Sequence, residues 1–418
     1  MKRTSMNFSD PNIVKGRILF VDDEIYVLKG LQRSLRGMRG EWEMLFVSNG
    51  EDALASMREI PCHVIVSDMR MPEMNGVELL EQVRMEFPDT VRIVLSGYSD
   101  QEMILRIIGP AHQYLVKPCE TSMIINVIKR TLKLRSLLGS DDLRALVSSI
   151  DSLPSMPAVY VELINKLDDE RASADSLTGI ISRDIAMTAE TLKLTNSAYF
   201  GLPTEVIDIR RAITFLGFDT IKSIALTAGI YGRKKVNRKM ALTLDKLCQH
   251  SIGIGEMAKR IAQYEGSDDF IASQAGCAAA LCHVGTLVLL TNWPDKFNEA
   301  TRMVEDKIMS IYDAERLVFG SSHVELGAYL LGLWGFADPI VEAVVYHHEP
   351  MKSGYQEINL LTFVYIAQIL PRIVKQVNKT DGANMVSILD MDYIRQIGAD
   401  DKLNAWYDIV LELTEKEN

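Results

Sequence analysis

Cysteine is scarce in this chain. Five residues in 418 (Cys62, Cys119, Cys248, Cys277 and Cys282) stand singly in apolar surroundings, with no C-x-x-C spacing. A disulfide framework is excluded, and the pattern reads as reduced, buried thiols of a cytosolic protein. Basic runs are equally few. The densest cluster is "GRKKVNRK" (Gly232–Lys239), and the formal net charge is -11. Nucleic-acid binding rests on a basic stripe that neutralises phosphates, so no nucleic-acid partner is expected. Long apolar runs are also lacking. The most apolar stretch, Ala275–Leu290, is interrupted by His283, Thr286 and two glycines. It reads as a buried core helix rather than a membrane span, and no membrane partner is expected. The opening "MKRTSMNFSDPN" has no apolar segment. No signal peptide and a cytoplasmic location are therefore expected. There is no internal repeat and no low-complexity segment.

What is present is enough for well-filled cores. Hydrophobic residues make up 47% of the chain, and its length suggests two or three domains at roughly 150 residues each. The first third alternates short apolar runs with amphipathic segments. "RILFVDDE" (Arg17–Glu24), "HVIVSDMRMPEMNG" (His63–Gly76), "VRIVLSGYSD" (Val91–Asp100) and "QYLVKP" (Gln113–Pro118) read as buried parallel strands. "GEDALASMREIP" and "GVELLEQVRMEFP" between them read as helices. Alternation of this kind predicts a doubly wound parallel sheet, whose ligands gather at the carboxyl ends of the strands.

Asp22, Asp23, Asp68, Ser96 and Lys117 all fall at those ends. One strand-end aspartate is explained by helix capping; three carboxylates, a hydroxyl and a lysine converging on one edge are not. Clustered carboxylates repel unless a cation sits among them, and oxygen-only ligands select a hard ion such as magnesium. Such a site can accept a phosphoryl group on a carboxylate.

Residues from about Arg17 to Leu138 resemble the receiver domain of two-component response regulators, through "VDDE", "SDMRMPEMNG", "LSGYSD" and "YLVKP" in that order. The resemblance implies a five-stranded sheet with Asp68 as phosphoacceptor. It implies Mg2+ held by Asp23, Asp68 and the backbone carbonyl of Arg70, with Asp22 acting through water. Ser96 and Lys117 would contact the phosphoryl oxygens, Tyr114 would be an aromatic switch, and the Lys117–Pro118 bond would be cis. The partner implied is a sensor histidine kinase or phosphotransfer protein.

The receiver is bounded at residues 15–138, followed by a helical linker at 139–152. From Leu153 onward strand-like runs vanish and helical periodicity dominates. "AVYVELINKLDD" reads as one helix and "SLTGIISRDIAMTAETLKLTNSA" as another. The C-terminal "DDKLNAWYDIVLELTEKEN" aligns Leu403, Trp406, Ile409, Val410 and Leu413 on one face. This all-α part resembles the HDOD domain, a relative of HD-type phosphohydrolases, over 153–350. The motifs that carry the likeness are "LPSMPAV", "LTNSAYFGLP", "AITFLGFDTIKSIAL", "CQHS" and "HVELGAYLLGLWGFADPIVEAVVYHHEP". Residues 351–418 read as a helical extension packed on that domain.

Five of the seven histidines lie in this part: His250, His283, His323, His347 and His348. HD hydrolases need an adjacent His-Asp pair, because the aspartate oxygens bind divalent metals that polarise water. In "GCAAALCHVGTL" (Gly276–Leu287) that position holds Cys282-His283. Cys282 is a competent soft ligand and with histidines would suit zinc. His347 and His348, if on one helix, would point about 100° apart and need not share a metal. The text after them, "HHEPMKSGYQE", also departs from the H-H-E, G-Y-P pattern of cyclic dinucleotide phosphodiesterases. The six residues therefore read as a degenerate HD-type site with no cofactor, and the domain as a non-catalytic output acting through a downstream protein, with homodimerisation open. The alternatives are a metal-dependent phosphohydrolase and a nucleotide-binding sensor.

Overall fold

The structure, a computed structural model, describes residues 16–96, 111–135, 172–196, 206–218, 220–221, 238–305, 309–377 and 389–416, with scattered helical positions between 144 and 167. The main division between two compact units falls at Ser152–Leu153.

In the first unit, β1 (Gly16–Val21), β2 (Trp42–Val47), β3 (Val64–Asp68), β4 (Val91–Ser96) and β5 (Gln113–Val116) form one parallel sheet in the order β2-β1-β3-β4-β5. The four expected strands are all there. The fifth, β2, sits at the edge beside β1. Only Trp42 of its six residues is buried, so it lacks the continuous apolar run of a central strand. Register matters for function. Val21 lies opposite Ser67, Asp68 opposite Leu95, and Ser96 opposite Val116. The carboxyl ends therefore align, and Asp22, Asp68, Ser96 and Lys117 emerge at one edge. The helices Gly50–Glu59 and Gly76–Glu86 fall where amphipathic periodicity put them. The second begins in a capping box, in which Asn75 and Glu78 each accept the other's backbone N–H, at 3.0 and 3.1 Å. A further helix runs over Thr121–Arg135 and buries Ile124, Ile128 and Leu134. The expected linker helix beyond it lies almost wholly outside the described residues.

The second unit is helical throughout its described part. The long helix Arg238–Tyr264 packs against Asp269–Leu281 and Leu360–Val377. The final helix, Leu403–Lys416, docks on the same bundle. Its Trp406 is fully buried, and the indole Nε1 donates to Glu265 Oε1 at 2.9 Å. Two single helices expected from periodicity are each interrupted. "SLTGIISRDIAMTAETLKLTNSA" divides into Ala174–Ile181 and Ile185–Thr195. Between them Asp184 accepts the N–H of Met187 at 3.0 Å and caps the second helix. The apolar stretch around Cys282 divides into Asp269–Leu281 and Val284–Asn292, with His283 as the N-cap. Residues 269–292 together are long and apolar enough to cross a membrane, and 83% of the most apolar window lies buried in the protein.

Candidate functional site

At the sheet edge the central group is an ammonium. Lys117 Nζ donates to Asp22 Oδ2 at 2.7 Å and also to Asp68 Oδ1. Asp22 is 1% exposed and Asp68 8%. Each aspartate uses its other oxygen on the backbone: Asp22 Oδ1 accepts from Glu24 N at 2.9 Å, and Asp68 Oδ2 from Arg70 N at 2.8 Å. Burial raises the Asp68 carboxyl above its usual range, against the pull of Lys117. Burial also works against the Lys117 charge, but its bonds to Asp22 and Asp68 outweigh that and raise it. Asp23 is exposed. The Lys117–Pro118 bond is cis. The loop after Asp68 closes tightly, with Gly76 N donating to Met69 O at 2.9 Å, and a Cβ on Gly76 would collide with the Asp68 carbonyl. Ser96 ends β4 and Tyr114 lies in β5, but their side chains fall outside the described residues.

A second cluster forms in the helical unit. His323 begins the helix His323–Leu333, while His347 is the C-cap of Asp338–Tyr346. Ligand nitrogens of His323, His347 and His348 lie within 4.8 Å of one another, the only such trio of His, Cys, Asp or Glu groups among the described residues. The helix has ended at Tyr346, so the 100° helical spacing expected between His347 and His348 does not apply, and their ring centres stand 4.1 Å apart. The Nε2 atoms of His348 and His323 are 3.2 Å apart. Glu315, which sequence reasoning passed over, sets His323. Its Oε2 accepts from the His323 backbone N–H at 2.8 Å and faces Nδ1 at 2.5 Å. His347 Nδ1 lies 2.8 Å from the Val344 carbonyl and must donate to it.

The other expected members stand apart. His283 is buried; its Nδ1 lies 3.2 Å from Ser251 Oγ, and its ring is 5.2 Å from that of exposed His250 and 6.3 Å from that of His323. Gly285, two residues on, lets the chain pass so close to His323 that an added Cβ would strike its carbonyl. Cys282 does not join the trio. Its Sγ donates to Ala278 O, one turn back in its own helix, at 3.2 Å. Burial pushes that thiol up, which disfavours the thiolate a metal needs.

Comparison with known families follows the same division. Residues 18–129 match the response regulator receiver domain and residues 153–350 the HDOD domain. This chain is a response regulator with an HDOD output. The hydrogenase transcriptional regulatory protein HoxA of Bradyrhizobium diazoefficiens is 36% identical over 126 residues, covering 30% of this chain and 25% of HoxA. An uncharacterized protein of Treponema pallidum is 23% identical over 55% of this chain and 44% of its own length. The crystal structure of the MmoQ response regulator from Methylococcus capsulatus covers 61% of this chain and 98% of MmoQ, at 21% identity and a TM-score of 0.46. The regulator thus spans about a quarter of the length of the HoxA proteins it matches.

The buried histidines of this response regulator make its stability sensitive to acid. Burial, with His323 alongside, lowers His347 to about 3. Burial also holds His283 and His348 well below the ordinary value of 6.5, helped by neighbouring imidazoles. These groups stay neutral in the folded state, whereas the unfolded chain takes up protons as pH falls through 6.5. Their stabilisation is thus complete above that value and is lost progressively as pH falls below it, for His347 down toward about 3. Urea unfolding of chelator-treated protein should show a lower midpoint for the helical transition at pH 5.5 than at pH 7.5. An equal midpoint would contradict neutral burial.

Proposed function

We propose that Asp68 accepts a phosphoryl group from a sensor histidine kinase or phosphotransfer protein, and that the HDOD domain relays the change by binding a downstream protein. The observation that carries this reading is the bridging of Asp22 and Asp68 by one ammonium, Lys117. Three carboxylates against a single lysine leave this edge net negative, and every donor oxygen is hard. That set fits Mg2+, held by Asp23, Asp68 and the Arg70 carbonyl, with Asp22 through water. When bound, the ion clamps phosphoryl oxygens and neutralises their charge.

Asp68 is then the nucleophile, oriented by the Arg70 N–H. Once phosphorylated, it offers Lys117 a more highly charged partner than a carboxylate. The lysine shifts from its Asp22–Asp68 bridge onto a phosphoryl oxygen, and Ser96 donates to another. That movement biases a two-state equilibrium, with Tyr114 as the side chain that follows it.

Wild-type protein incubated with Mg2+ and a small phosphodonor should gain one phosphoryl group per chain. As an acyl phosphate, it should be released by hydroxylamine. A label resistant to hydroxylamine, or no label at all, would refute Asp68 as acceptor.

The output is read as non-hydrolytic. HD-type hydrolysis relies on a carboxylate that bridges two ions about 4 Å apart. Here Glu315, the carboxylate beside the trio, is turned onto His323. Cyclic di-GMP and related dinucleotides should therefore remain intact with magnesium, manganese or iron supplied. Chelator-sensitive cleavage in a chromatographic assay would reverse this reading.

A further inference from the structure

We propose that His323, His347 and His348 form a mononuclear zinc site in the HDOD domain, with Glu315 holding His323 in its ligating tautomer. This reverses the expectation that the output domain takes no cofactor.

The first support is an orphaned atom. His347 is fully buried, and its Nε2 has no hydrogen-bond partner. Because Nδ1 donates to the Val344 carbonyl, the neutral ring carries its lone pair on Nε2. A buried acceptor without a donor is costly, and a metal ion is a partner that a bare imidazole lone pair suits.

The second support is the Glu315–His323 pair. The carboxylate fixes the proton on Nδ1 and leaves Nε2 as the donor atom of the neutral ring. A carboxylate behind a histidine is the arrangement that orients ligands and raises their basicity in metal sites. Glu315 is itself fully buried, so solvent does not satisfy it instead.

The third is spacing. Two nitrogens bound at zinc distances in a tetrahedral site stand about 3.3 Å apart. His323 Nε2 and His348 Nε2 are 3.2 Å apart, and the trio's ligand atoms lie within 4.8 Å of one another. An all-imidazole donor set favours zinc over magnesium or calcium. Three protein nitrogens leave a fourth tetrahedral position for water or an incoming group. The site owes nothing to the Cys282-His283 pair at the hydrolase position: Cys282 bonds within its own helix, and His283 faces Ser251.

The test uses untagged full-length protein stripped with chelator and then dialysed against zinc, with excess Mg2+ present throughout. Wild type should retain one zinc per chain. His348→Gln should lower the affinity by tenfold or more. Glu315→Gln should lower it about 10–100-fold at unchanged saturating stoichiometry. Cobalt supplied to wild type should give the intense blue absorption of a four-coordinate ion, a readout that needs no variant to fold. The proposal is overturned if wild type holds no more zinc than a His323→Gln/His348→Gln double variant of native circular dichroism. It is overturned equally by the weak pink spectrum of six-coordinate cobalt, or by zinc retention that disappears in Asp68→Asn and persists in His348→Gln.

Discussion

Asp68→Asn should take up no phosphoryl group from a small phosphodonor under conditions that label wild type fully. The amide that replaces the carboxylate is a poor nucleophile and carries no charge to pair with Lys117. The fold should survive, because Asn still accepts the Arg70 N–H made by Asp68 Oδ2 at 2.8 Å. Lys117 keeps its 2.7 Å bond to Asp22. Intact-mass measurement reads the result directly. A variant that is still labelled to wild-type extent would move the acceptor elsewhere, with Asp22 and Asp23 next to be replaced.

Glu315→Ala should destabilise the helical domain by about 3–5 kcal/mol, the range for removing one partner of a buried pair. Glu315 is 0% exposed, and one of its oxygens serves both the backbone and the ring of His323. Truncation leaves two buried donors unsatisfied and opens a cavity against the helix that His323 begins. Glu315→Gln keeps the volume and one acceptor oxygen, so it should cost distinctly less. Chemical denaturation of the two variants, with chelator present so that metal plays no part, separates these outcomes. Equal loss in Ala and Gln would show that charge alone matters, and no loss in either would deny the pair its structural role.

Much of the receiver was legible because its signals are local. Asp22, Asp68 and Lys117 each follow an apolar run that a parallel sheet must bury, so the sequence alone sets them at one edge. The structure adds that Lys117 serves both aspartates at once. Strand β2 was harder to read, since an edge position buries only Trp42 and leaves the remaining five residues partly or fully exposed. In the helical domain the difficulty was of another kind. Glu315 sits in "YDAERLVF", where it looks like any solvated acid on an amphipathic helix. Only the turn at Gly320, which folds Ile311–Phe319 back toward the next helix, carries its carboxylate to His323 eight residues later. For His347 and His348 helical periodicity gives no guide, because the helix Asp338–Tyr346 ends before them. With the helix ending at Tyr346, His348 belongs to a turn, and a turn is free to bring adjacent rings to the same point.

Gly285 gives the helical domain a property that its sequence position alone would not suggest. With no room for even one added carbon between this residue and the His323 carbonyl, the start of Val284–Asn292 and the start of His323–Leu333 have no clearance in which to slip. A displacement of one must be taken up by the other. A methyl group added at Gly285 would act there as a permanent wedge between the two helix starts and would displace the residue that opens the histidine trio.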